Sequence, residues 1–200
     1  DDLLEGRGTG TRGNKIAASY LANSLRSYGV QPHPSSSSYF QKFNLLQTAP
    51  PTLMSVMLNG ADYPHIIAVE AKATKLSGNA IYLGFGSEED YKGKDVNGKL
   101  IVVKGGTPEA SDARTVYGAH KSKQELAIQN GAIGLIEMTL LEEDWWSRIS
   151  HFMGESVKIP DAIDTENTTN DFIHLWVNTT SEILEMLAHT KMSFEIETDG

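Results

Sequence analysis

Two linked stretches constrain the fold more than anything else in this chain: Val96-Asn97-Gly98-Lys99-Leu100-Ile101-Val102-Val103-Lys104-Gly105-Gly106, and the run from Lys121 to Met138. Leu100 to Val103 is continuously apolar and largely β-branched, as suits a strand covered on both faces. A glycine pair ends it. Glu125-Leu126-Ala127-Ile128 then follow a helical pattern that stops at Asn130-Gly131, because glycine adopts the left-handed conformation that closes a helix. Ala132-Ile133-Gly134-Leu135-Ile136 opens a second buried strand. The order is buried strand, glycine turn, amphipathic helix, buried strand.

Outside this unit the chain changes character near Thr48-Ala49-Pro50-Pro51, where paired prolines exclude both helix and central strand. Before it, Asp1 to Gly13 reads as a glycine-rich loop. Asn14 to Tyr28 reads as a helix, with Ile16, Tyr20, Leu21 and Leu25 at helical steps, Asn14 as its cap and Gly29 as its stop. Tyr39 to Leu45 alternates as a strand does. Beyond the prolines, strands are expected at 53–58, 66–71, 80–83, 100–103, 133–138, 172–177 and 192–197. Asn59-Gly60, Ser77-Gly78-Asn79 and Asn97-Gly98 supply turns between several of them. Helices fit at about 122–129 and 181–189, the latter with Ser181, Glu182 and Glu185 forming a capped acidic first turn. Residues 140–159 read as a long irregular stretch.

Composition narrows the partners. Lys plus Arg total 17 against 26 Asp plus Glu, a net charge of -9 over 200 residues, which argues against nucleic acid because that affinity rests on neutralising phosphates. No apolar run approaches the roughly 20 residues that span a bilayer, so no membrane partner is expected. There is no cysteine, which removes disulfides, thiolate nucleophiles and thiolate zinc sites together. The chain starts at Asp1 without methionine, as a processed or trimmed chain would. Two sequons, Asn167-Thr168-Thr169 and Asn178-Thr179-Thr180, are patterns short enough to arise by chance.

The "GK, apolar run, KGG" segment followed by "GA-x-G-apolar" resembles the protease-associated domain, a non-catalytic module found inserted in secreted exopeptidases and in cargo receptors. The leading segment is Leu4-Glu5-Gly6-Arg7-Gly8-Thr9-Gly10-Thr11-Arg12-Gly13-Asn14, with its helix, Gly29, Gln31-Pro32 and Tyr39-Phe40-Gln41-Lys42-Phe43. It resembles the start of the secreted di-zinc aminopeptidases, the family that includes glutamate carboxypeptidase-like enzymes. The resemblance implies a mixed α/β, α+β chain. Residues 1–47 would be the loop, helix and strand of a peptidase domain, and 48–200 a β-rich domain of the swivelling β/β/α kind. It also implies a secreted or periplasmic protein whose partners are a peptidase domain and a peptide substrate. Two zinc ions in the complete enzyme would activate the water that cleaves an N-terminal peptide bond. A stand-alone peptide- or protein-binding module, as in sorting receptors, is the alternative.

The family's zinc ligands are an H-x-D element, a bridging Asp and a Glu-Glu pair lying downstream of the insertion. His33, His65, His120, His151, His174 and His189 are the histidines here, and none has Asp two residues later. Glu142-Glu143 has no ligand set around it and reads as a solvated acidic patch. The catalytic portion is therefore expected beyond Gly200, with no catalytic, cofactor or metal residue in this chain and no activity from it alone.

Gly8-Thr9-Gly10-Thr11-Arg12-Gly13 matches G-x-G-x-x-G, yet the fingerprint needs a strand leading in and only Asp1 to Arg7 precedes it. A glycine turn feeding a helix is the reading, with Arg7 facing the cleft if the family layout holds. Gly105-Gly106 can be read as an anion nest or, better, as a tight turn. Trp145-Trp146 is the pair core packing explains least. Neighbours on a strand or loop point apart, so one can be exposed beside Arg148 as a contact for substrate or partner. Otherwise both cover the core beneath a long loop. Arg7, Trp145, Trp146 and Arg148 are thus the candidate contact residues.

Overall fold

The computed structural model describes residues 6, 8–44, 46–154, 156–158 and 172–199. The chain divides into two compact units, Asp1–Gln47 with Val157–Thr165, and Thr48–Ser156 with Glu166–Gly200.

In the first unit, helix α1 runs Arg12–Ser27. Its cap is Thr11 rather than Asn14: the Thr11 hydroxyl accepts the Asn14 N–H (3.3 Å) and donates to the Gly8 carbonyl (2.7 Å). A hydroxyl three residues ahead of an orphan N–H is the stronger cap geometry, and it starts the helix earlier than the apolar spacing does. Gly29, at φ 78°, closes the helix as expected, with Val30 N–H bonded to the Leu25 carbonyl and Gly29 N–H to that of Arg26. Residues 40–44 hold no strand despite their alternation, and Phe40 and Phe43 are exposed. Alternation makes a strand only where a neighbour takes up the backbone groups. The strand comes later, as β1 (Leu46–Thr48), which pairs with β8 (Ser156–Lys158) in a two-stranded ribbon.

The second unit is a mixed sheet with helices on both faces. Its strands are β2 (Met54–Leu58), β3 (Ala61–Asp62), β4 (Ile66–Glu70), β5 (Thr74–Tyr82), β6 (Leu100–Lys104), β7 (Gly134–Thr139), β9 (Ile173–Asn178) and β10 (Met192–Thr198), in the order β3-β2-β10-β5-β6-β7-β9-β4. β5, β6, β7 and β9 are parallel, and the flanking pairs are antiparallel. Helices α2 (Glu88–Tyr91), α3 (Ala113–Gln129), α4 (Glu143–Gly154) and α5 (Ser181–Ala188) connect them, so the class is α+β.

Strand periodicity sorts the core. Leu100, Val102, Ile136, Met138, Leu175 and Val177 point to the face that α5 covers with Leu184 and Leu187, and Phe194 and Ile196 extend this layer. Ile101, Val103 and Leu135 point the other way, onto Ala127 of α3, while Trp176 meets Val116 of α3 and Trp146 of α4.

Three expectations are corrected here. Ser77-Gly78-Asn79 is not a turn but the middle of β5, because Gly78 lies opposite Phe194 and a Cβ there would come within 3.2 Å of its ring. Helix α3 starts at Ala113, not Ser122, since the Asp112 carboxylate caps it by accepting the Arg114 (3.0 Å) and Thr115 (3.3 Å) N–H groups. Residues 140–159 are not one irregular stretch either. Trp146, Ile149 and Met153 recur at helical spacing behind the acidic first turn Glu143-Asp144, and they form α4. A smaller correction is that Thr180, not Ser181, is the cap residue of α5.

The glycine pair after β6 makes a tight turn. Gly106 has φ 83°, and a Cβ there would collide with the Ala110 carbonyl. The Gly105 N–H is donated to the Met138 carbonyl (2.8 Å), so one of the donors that an anion nest needs is already spent.

Candidate functional site

At the carboxyl ends of β6 and β7, helices α3 and α4 flank an open groove of ≈ 740 Å³. Leu141 and Ile149 are buried at its floor, and Tyr117, Leu140, Trp145 and Phe152 stand half-exposed around it. Their placement follows from one helix. Trp146 turns inward on α4 and is 5 % exposed, packing with Ile67, Val116 and Trp176. Trp145, one residue earlier and so about 100° away round the helix, is 52 % exposed. Arg148, three residues on, places its guanidinium 5.6 Å from the Trp145 ring centre. Phe152 is 63 % exposed and meets Tyr117 of α3 edge-on at 5.8 Å, joining the two walls.

The turn into α4 is clamped by Asn178 at the end of β9. Its side-chain oxygen accepts from the Thr139 hydroxyl and the Leu141 N–H (both 2.9 Å), and its amide nitrogen donates to the Leu141 carbonyl (2.8 Å). The nitrogen that a glycan would occupy in Asn178-Thr179-Thr180 is therefore committed to the fold. Asn167 lies outside the described residues.

Beneath α3 sits a buried polar network that sequence reasoning passed over. Glu137, on the central strand β7, is fully buried. One carboxylate oxygen accepts from His174 Nε2 (2.9 Å) and Trp176 Nε1 (3.0 Å), and the other from Lys123 Nζ (3.0 Å). Lys123 also donates to the Lys104 carbonyl (2.6 Å), and His174 Nδ1 meets Gln124 Oε1 (3.1 Å) while Gln124 donates to Glu70. Burial pushes the Glu137 carboxyl up. The His174 hydrogen bond and the Lys123 and His174 charges outweigh it, holding the group below the ordinary glutamate range. The signal was there to read: a lone glutamate in the apolar run Leu135-Ile136-Glu137-Met138, and His174 with Trp176 two residues apart on one strand face. Its centre, Glu137 with His174 and Trp176, has no exposed surface. The network holds α3 to the sheet.

Of the expected contact residues, Trp145 and Arg148 come together at the groove, Trp146 does not, and Arg7 lies outside the described residues. Ser111 is the groove's serine, and no base is hydrogen-bonded to it among the described residues. Among those residues no three His, Cys, Asp or Glu converge to hold a metal, and Glu142 and Glu143 are exposed at the start of α4. A zinc ion therefore has no ligand set that fits it in the described part of this chain.

No protein-family model matches this sequence, and no curated protein does. Solved structures do. The aminopeptidase from Aneurinibacillus sp. strain AM-1 aligns with 100 % of this chain at a TM-score of 0.55 and 16 % identity. The likeness is one of fold. This chain corresponds to 42 % of that aminopeptidase's length, so it matches a part of it. A looser match is the psychrophilic subtilisin-like protease Apa1 from the Antarctic psychrotroph Pseudoalteromonas sp. AS-11. It has a TM-score of 0.41 and 11 % identity over 76 % of this chain and 34 % of the other.

Proposed function

We propose that this chain is a non-catalytic region of an exported, zinc-dependent aminopeptidase-like exopeptidase, and that its second unit contacts polypeptide through the groove between α3 and α4. The observation that carries this reading is the groove itself. Four large apolar side chains stay half-exposed around a buried floor, on a fold shared with part of an aminopeptidase. The chemistry belongs to a peptidase domain carrying the two zinc ions, and the groove shapes substrate access or holds that domain in place. No step of the hydrolysis is assigned to a residue of this chain.

The test uses the complete protein as its gene encodes it, beside the 200-residue chain. Trp145→Ala in the complete protein raises KM for peptide substrates several-fold and leaves kcat within about twofold, the pattern of a lost binding contact. The 200-residue chain neither holds stoichiometric zinc nor hydrolyses aminoacyl anilides. Chelator-sensitive hydrolysis by that chain, with zinc bound at sub-micromolar affinity, would overturn the non-catalytic assignment. Peptide binding by a complete protein that shows no peptidase activity would instead make it a stand-alone binding module.

A further inference from the structure

We infer that the groove selects an extended polypeptide segment in which a large apolar side chain lies beside an aspartate or glutamate, an inference that rests on the groove's being a polypeptide contact at all. The apolar half of the selection comes from Tyr117, Trp145 and Phe152, whose rings offer faces and edges to a second large side chain. The acidic half comes from counting which charges in the groove are already committed.

Four charged residues line it: Asp112, Arg114, Glu142 and Arg148. Asp112 is spent on the cap of α3. One of its oxygens accepts two backbone N–H groups and the other the Thr115 hydroxyl (2.7 Å), contacts that hold its carboxyl below the usual range. Arg114 has no carboxylate partner among the described residues. Arg148 lies over the Trp145 ring and has no carboxylate partner among the described residues. Glu142 is the one carboxylate left uncommitted. The four formal charges balance, but the Asp112 oxygens are taken up by the cap, so the groups left to pair with a ligand are two guanidiniums and one carboxylate. A guanidinium beside an aromatic ring is placed to pair with a carboxylate next to an apolar anchor, a contact that sets specificity more than affinity. The groove is open to solvent, so a side-chain carboxylate within an extended segment suits it.

Acetylated, amidated hexapeptides with a central phenylalanine followed by glutamate, glutamine or lysine, titrated into the 200-residue chain by fluorescence anisotropy, test this. The expected order is glutamate tightest, then glutamine, then lysine, with at least a fivefold span that narrows as salt rises. Arg148→Gln combined with Arg114→Gln removes most of that span, and Trp145→Ala weakens all three peptides together. Equal binding of the three peptides by the unmodified chain overturns the acidic preference and leaves the groove as a polypeptide contact. No saturable binding of any peptide, in protein with native circular dichroism, removes the polypeptide reading itself. Tight binding only of a peptide with a free carboxyl terminus overturns the side-chain assignment in favour of end recognition. A chain that sediments as a dimer, and as a monomer after Trp145→Ala, assigns the groove to a second copy instead.

Discussion

Glu137→Gln is the substitution that tests the core of the second unit most severely. The carboxylate is fully buried and accepts three hydrogen bonds at 2.9–3.0 Å, one from Lys123, one from His174 and one from Trp176. Glutamine fills the same volume but has one oxygen and one NH₂. In either orientation the NH₂ faces a donor: Lys123, whose ammonium then keeps only the Lys104 carbonyl, or Trp176 Nε1. Removing one partner of a buried ion pair costs about 3–5 kcal/mol, because the remaining charge stays uncompensated. For a chain of this size each kcal/mol moves the midpoint by about 2–4 °C, so Tm should fall by about 6–20 °C. Urea denaturation followed by tryptophan fluorescence reads the same loss, with Trp176 reporting from inside the network. Lys123→Met added to Glu137→Gln should cost less than the two singles combined, by about 0.5–3 kcal/mol. A single variant within about 1 kcal/mol of the parent, or strictly additive singles, would show that the pair does not hold α3 down.

The pH dependence has a definite sign. The folded Glu137 carboxyl titrates below the ordinary glutamate value, so the unfolded chain takes up a proton first as pH falls. Its stabilisation is complete above the unfolded value of roughly 4.3 and is lost as pH drops through the lower folded value. The stability gap between parent and Glu137→Gln should be full at neutral pH and narrow below that point. A gap that stays constant while both remain folded would refute the charge-based account.

Trp146→Ala should destabilise the second unit by about 3–5 kcal/mol by opening a cavity, whereas Trp145→Ala should stay within about 0.5 kcal/mol; paired urea curves check both. Asn178→Ala leaves the Leu141 N–H and carbonyl without their partner, a loss of about 1–3 kcal/mol, and hydrogen exchange at Leu141 and the first turn of α4 should quicken. Helix α1 exposes Tyr20, Leu21 and Tyr28, so its amides should exchange faster than those of β6 unless another surface covers it; equal protection in a monomeric 200-residue chain would count against that.

The central unit was legible because its signals were local and mutually consistent. A β-branched run, a glycine turn, a helix stopped by Asn130-Gly131 and a second apolar run all specify the same neighbours, and β6, α3 and β7 stand where those runs fall. Three kinds of information were not local. Whether Ser77-Gly78-Asn79 turns depends on Phe194, more than a hundred positions away, lying across the missing side chain. Whether 140–154 coils or winds depends on a hydrophobic surface, built by Ile67 and Trp176 from other strands, for Trp146 and Ile149 to meet. The tryptophan pair stays open in the sequence between one exposed and both covering the core; helix α4 buries Trp146 and leaves Trp145 exposed. Glu137 was passed over because a single glutamate in an apolar run acquires meaning only when Lys123, His174 and Trp176 arrive from elsewhere.

The buried network and the exposed groove share a helix, and this links stability to recognition. Lys123 and Gln124 fasten the middle of α3 to the sheet, while His120, one turn earlier, packs edge-on against Trp176 (5.6 Å) and hydrogen-bonds to the Tyr117 carbonyl. Tyr117 is the α3 wall of the groove, touching Phe152 of α4. A wall fixed before a ligand arrives loses less freedom on binding, so the anchorage of α3 should register as affinity. Glu137→Gln, which touches nothing in the groove, should therefore weaken peptide binding at temperatures where the variant is still folded. Hydrogen exchange in α3 around Tyr117 should quicken in step, while α4, held also by Asn178 and by Ile67 against Trp146, changes less. Unchanged peptide affinity with a demonstrably loosened α3 would mean that the α4 wall alone, with Trp145 and Arg148, does the recognising.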